Sequence, residues 1–157
     1  MGPSVYDVGA AVLSQFDRPI TTMKLQKLVY LAQGWNLAIT ENPMFRGDFE
    51  AWVNGPVSRD LFRYHRRMFH ISRMDAGDEN ELSGKDKIVL KGVIDNYGSL
   101  SGQQLGALTH VNGTPWDVAR KRAGVEEGEA SSVTIDEADM RTHFKKILGI
   151  RQAGDIR

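Results

Sequence analysis

The 157 residues contain no cysteine, and twenty lysines and arginines are balanced by twenty aspartates and glutamates, for zero formal net charge. This excludes thiol nucleophiles, thiolate metal clusters and disulfide frameworks, and argues against a surface shaped everywhere for nucleic acid. The length suits one domain that buries roughly two-thirds of the surface its unfolded chain exposes; no run of about eighteen apolar residues suggests a membrane span, and the opening MGPSVYD lacks the basic-then-apolar pattern of an export signal, so the expectation is a soluble, cytoplasmic protein.

In chain order, Val5, Val8, Val12, Leu13 and Phe16 follow helical spacing, and Asp17-Arg18-Pro19 stops that helix because proline disfavours helix in the residue before it. The next segment is the most informative. In TMKLQKLVYLAQGW, Leu25, Leu28, Ala32, Trp35 and Ile39 recur every three or four residues, and Val29, Tyr30 and Leu31 widen the stripe over most of the circumference. A helix with one wet face lies on a surface; one apolar over most of its girth lies at the centre. Residues 22–40 are therefore read as a buried central helix, capped by Thr21 or Thr22 and broken at Glu41-Asn42-Pro43.

Phe49 to Val53 reads as a short strand ending in the turn Asn54-Gly55-Pro56. Ser58 opens a basic helix, SRDLFRYHRRMF, and Phe69 to Met74 is read as a second strand pairing with the first. The acidic DAGDENE is an exposed connector. Ser83 with Asp86 caps a helix that ends at Tyr97-Gly98, where the glycine is expected to turn left-handed. Ser101 with Gln104 caps the next, and Thr114-Pro115 opens WDVARKR. Residues 124–132 form a glycine-rich acidic loop, and Thr134 with Glu137 caps a last helix that places acids early and bases late along its dipole. The fold class is mainly α, α+β with a minor two- or three-stranded sheet: a single domain over 1–150, with a flexible tail at 151–157.

Charge is balanced globally but not locally. From Arg59 to Arg73 five arginines face one acid, Asp60, for about +4, whereas 75–81 and 126–139 hold four and six acids and no base. On a helix starting near Ser58, Arg59, Arg63, Arg66 and Arg67 share a face. Guanidinium forks suit phosphates and carboxylates alike, so the face serves a protein partner, nucleic acid or mere solvation. The histidines at 65, 70, 110 and 143 have no H-x-x-x-H or H-E-x-x-H spacing, and no Walker-type loop, G-x-S-x-G elbow or G-x-G-x-x-G turn is present. The reading is therefore no catalytic residue, no cofactor and no metal. His110 is the most enzyme-like histidine, against the plainer reading that its ring caps the Asn112-Gly113 turn; Trp35, Trp52 and Trp116 read as core anchors in preference to a stacking platform.

These blocks, ITTMKLQKLVYLAQGWNLAI, PMF, FEAWVNGPVSRDLF, NYG and LTHVNGTPW, taken together and in this order from about Val5 to Ala123, resemble the Panacea domain, the SocA-like antitoxin family that also includes phage-associated GepA-like proteins. The combination of K-L-Q-K-L-x-Y with E-A-W-x-x-G-P-V carries the resemblance. The matching residues are Lys24, Leu25, Lys27, Leu28, Tyr30 and Trp35, then Glu50, Ala51, Trp52, Gly55, Pro56 and Val57, and finally Thr109, His110, Pro115 and Trp116. They are mostly structural in kind. Asn54, where the family usually has an aromatic, and Ser58, where proline is frequent, depart from the pattern. The resemblance implies a non-enzymatic antitoxin of a bacterial or prophage two-gene system that holds a cognate toxin protein by direct contact. The partner-binding residues are read as Trp52, Asn54, Arg59, Arg63, Arg66 and Arg67. A DNA-binding regulator acting on its own operator is the alternative, and self-association is left open.

Overall fold

In the computed structural model, which describes residues 2–151, the chain is wound around helix α2 (Thr22–Thr40). Every residue from Leu25 to Ala38 is buried, as the broad apolar stripe requires; only Ile39, at the margin of the stripe, turns outward at 48% exposure. Helices α1 (Val5–Leu13), α4 (Gly84–Tyr97), α5 (Gly102–Thr109) and α7 (Glu137–Leu148) pack directly on it. Helix α3 (Arg59–His65) contacts α1 and α2, while α6 (Pro115–Arg122) sits farther out.

The polar residues of α2 explain how so central a helix tolerates them. Gln26, Gln33 and Asn36 are each about 2–3% exposed, and each serves backbone that has no regular partner. Gln33 accepts from Met44 N–H at 2.7 Å and donates to the carbonyl of Phe45 at 2.8 Å. Gln26 does the same for Ser58, at 2.9 and 3.1 Å, and Asn36 donates to the carbonyl of Asn42. A buried amide group left unpaired costs far more than a paired one gains, so these side chains lash irregular segments to the axis. At Gly34 the helix has no side chain because the ring of Phe144 lies there: a Cβ would fall 2.2 Å from it.

Among the described residues the β-structure is two antiparallel pairs. Strand β2 (Glu50–Trp52) pairs with β3 (Gly55–Val57) in a tight hairpin, and β1 (Ile20–Thr21) pairs with β4 (His70–Ile71). The expected pairing of segment 69–74 with 49–53 does not occur. Both edges of β2 are already occupied: β3 takes one, and on the other Ala51 N–H donates to Val133 and Ile135 N–H to Phe49, each at 2.8 Å. The same contact draws Thr134 into extended pairing with Glu50, so Asp136, not Thr134, caps α7. Gly98 ends α4 in right-handed geometry, not the left-handed turn expected there. Three caps expected from sequence, at Ser83, Ser101 and Thr114, are in place. The tail proposed at 151–157 lies, beyond residue 151, outside the described residues.

Candidate functional site

The hairpin of β2 and β3 brings three distant segments to one point. Gly55 has φ +123°, a conformation that side-chain-bearing residues rarely adopt. A Cβ there would also lie 3.0 Å from Lys27 Nζ and 3.5 Å from His110 Nδ1. Lys27 reaches out from α2 and donates to the carbonyl of Pro56 at 3.1 Å. Its side chain is 2% exposed, and among the described residues no carboxylate lies within ion-pair distance of it. Burial drives its pKa down to about 8. His110, at the end of α5, is held below the usual histidine range by burial and then by the Lys27 charge, and its buried Nδ1 has no hydrogen-bond partner among the described residues. The ring packs edge-on against Trp116 at 5.4 Å. It does not bridge the Asn112-Gly113 turn, whose glycine amide instead donates to Asp117.

Between α2, the hairpin and α3 runs a cleft of about 210 Å³. Met23, Trp52, Val53, Val57 and Phe62 give it apolar walls, and Gln26, Lys27, Asn54 and His65 supply polar groups. No acid lines it. Trp52 packs edge-on to Phe62, with ring centroids 4.9 Å apart. Its indole N–H donates to Glu50 Oε1 at 2.8 Å, and Trp116 Nε1 donates to the Trp52 carbonyl at 2.6 Å. Glu50 also accepts two hydrogen bonds from Arg59, at 2.8 and 3.0 Å, and this fork, aided by Trp52, holds its carboxyl below the usual range. The Arg59 guanidinium lies over the Trp52 ring.

The four arginines do not share one helical face as the spacing suggested. Helix α3 ends at His65, so Arg66 caps it and Arg67 lies in the following turn. The stop has a tertiary cause. Gln26 Nε2 donates to His65 Nε2 at 3.0 Å, which anchors the histidine in the interior, and Met68 N–H turns back to the His65 carbonyl before the chain enters β4. Of the four, Arg59 is tied to Glu50 and Arg63 makes an exposed contact with Asp60 at 3.5 Å, while Arg66 and Arg67 are exposed. Met68 and Phe69, the latter 74% exposed, extend the rim in apolar form, because both backbone carbonyls are held by Thr22 at the cleft edge.

Of the residues read from sequence as partner-binding, Trp52 and Asn54 line the cleft and Arg59 lies over the Trp52 ring; Lys27 and Gly55 were assigned a structural role. It did not join Lys27, Gly55 and His110 into one locus, nor see that His65 and Gln26 form its flank. The available signal was a lysine inside the most apolar helix, which has to find a partner away from its own turn. Trp35 stands apart, edge-on to Tyr97 on the α4 side. Among the described residues no three His, Asp or Glu side chains gather where a metal ion could sit, and no helix is long and apolar enough to cross a membrane.

The family model for the Antitoxin SocA-like, Panacea domain matches residues 25–117. Antitoxin SocA of Caulobacter vibrioides (strain NA1000 / CB15N) is 32% identical over 148 residues, covering 83% of this chain and 76% of that protein. No solved structure matches. The matched span contains α2, the hairpin, α3 and His110, and omits the acidic loop and α7.

Proposed function

The chain belongs to the SocA-like Panacea family, and on that premise we propose that it is an antitoxin that neutralises a toxin protein by direct, stoichiometric contact. The cleft beside the hairpin is the observation that carries this reading. It lies within the family-matched span, has aromatic and aliphatic walls with arginines at its edge, and continues into exposed Met68 and Phe69. Specific protein interfaces are rich in aromatic and arginine anchors. The partner-facing residues are Trp52, Asn54, Arg59, Arg63, Arg66 and Arg67, with the apolar rim beside them.

Co-expression with the product of the neighbouring gene tests the proposal: growth should be rescued by this protein, and equal lethality with and without it ends the reading. At the residue level, the double charge reversal Arg63→Glu and Arg66→Glu should weaken toxin binding about tenfold or more by slowing association, measured by surface plasmon resonance. An operator-binding role has less support, because Arg59 and Arg63 already face carboxylates of the same chain; it predicts DNA affinity that falls steeply with salt.

A further inference from the structure

Lys27 is the group that the fold leaves unexplained. A lysine is almost never fully buried without a charged partner, since desolvating an ammonium is costly and a single carbonyl offsets only part of it. Among the described residues the one hydrogen bond of Nζ is to Pro56 O. The acid near the hairpin, Glu50, has its oxygens taken by Arg59 and Trp52, so it does not compensate Lys27. On the α5 side the neighbour is His110, a base; on the α3 side it is His65, also a base, held neutral in its role as acceptor from Gln26. Among the described residues the titratable groups around the ammonium are thus basic or already engaged. Meanwhile Lys27 lines a cleft with apolar walls and no acid of its own, with Arg59, Arg63, Arg66 and Arg67 nearby on and just after α3.

We propose that the cleft receives an acidic side chain of the bound toxin, presented from an apolar segment, and that this carboxylate forms an ion pair with Lys27. The inference rests on the antitoxin reading and sharpens it. The walls fit the apolar flanks of such a segment, and the low dielectric they create strengthens the pair once water is excluded. His110 Nδ1, beside Lys27 at the hairpin and without a partner among the described residues, adds no acid that could compensate the ammonium in the toxin's place. Gly55 leaves room for the Lys27 ammonium, because any side chain there would crowd both Lys27 and His110. The three motif blocks around Lys27, Gly55 and His110 thereby acquire a common purpose beyond the fold.

The test uses the full-length protein and the neighbouring gene product purified as an inactive variant, titrated calorimetrically. Lys27→Met removes the charge and keeps an unbranched side chain one atom shorter, and melting temperature checks the fold independently. Asn54→Glu, at an exposed turn position that lines the cleft, places a competing carboxylate at its mouth without disturbing the core, and Asn54→Lys is its opposite. Expected are losses of about tenfold or more for Lys27→Met and Asn54→Glu, and unchanged or tighter binding for Asn54→Lys. If the wild type binds and Lys27→Met and Asn54→Glu bind equally well, the lysine pairing is wrong while the antitoxin reading stands. If the wild type binds nothing, the antitoxin reading fails and takes this one with it.

Discussion

Two glycines, Gly34 within the central helix and Gly55 beside it, receive opposite kinds of side chain. At Gly34 a glycine of α2 accepts the ring of Phe144 from α7, whose carbons would overlap any Cβ. At Gly55 a glycine of the hairpin accepts the ammonium of Lys27 sent out from α2. The α7 side is closed in charge and packed with rings: Tyr30 meets both Phe49 and Phe144 edge to face, and Glu41, held at φ 67° just past the helix end, is bound by Lys145 and Arg141. The hairpin side is open in charge: a cleft of about 210 Å³ adjoins a lysine that has no carboxylate partner among the described residues. Dispersion and area burial reward the first contact, whereas desolvation penalises the second. Stability is thus concentrated on one side of α2, and a group kept at a cost to stability lies on the other.

The largest expected effect falls on the closed side. Phe144→Ala should cost about 3–5 kcal/mol in urea denaturation, the usual price of deleting a fully buried aromatic, with toxin affinity of the folded fraction unchanged. A loss of affinity with the fold intact would break the division of labour between the two sides. On the open side Lys27→Met should do the reverse and stabilise the protein by about 2 kcal/mol near pH 7: roughly 3 from the relieved desolvation, less about 1 for the lost hydrogen bond to Pro56. The pH dependence has a definite sign. The folded pKa of about 8 lies below the ordinary 10.5, so the unfolded chain holds the proton more tightly between them. The penalty is complete below pH 8 and disappears as pH rises to 10.5, so the wild type should gain stability across that window while Lys27→Met does not. Parallel curves for the two proteins would show that burial of this ammonium is not the cost proposed.

The smallest effect is expected at Glu50. Glu50→Gln removes the pair with a half-exposed Arg59 and should cost under about 1 kcal/mol. Because the folded carboxyl titrates below its ordinary value, that contribution is present above about pH 4.5 and is lost as pH falls through the lower folded pKa. Acid unfolding midpoints of the two proteins should therefore converge at low pH, and a gap that widens there would contradict the assignment.

Much of the frame was legible because its signals are local. Spacing of three and four marked α2 as the axis, and the caps at Ser83, Ser101 and Thr114 depend only on the next three residues. The turn expected at Asn54-Gly55-Pro56 falls instead on Val53-Asn54, and Gly55–Val57 returns as β3. What failed were readings that extended a local pattern past a tertiary contact. The arginine face was drawn on a helix that His65 ends early, being held by Gln26. The strand pairing assumed a free edge that Val133 and Ile135 had taken. For the site, the residue types were seen but their meeting was not, since Lys27, Gly55 and His110 belong to three separate elements.

Taken alone, the order of residues determined the mainly helical class, the buried middle helix, several helix caps and the family, because periodicity, capping and motif order are properties of neighbours along the chain. Only the folded arrangement decided which polar groups of that helix bind stray backbone and which one is left without a countercharge. The electrostatic environment of a buried ammonium depends on everything within a few ångströms of it in space, and those groups arrive from segments tens of residues away.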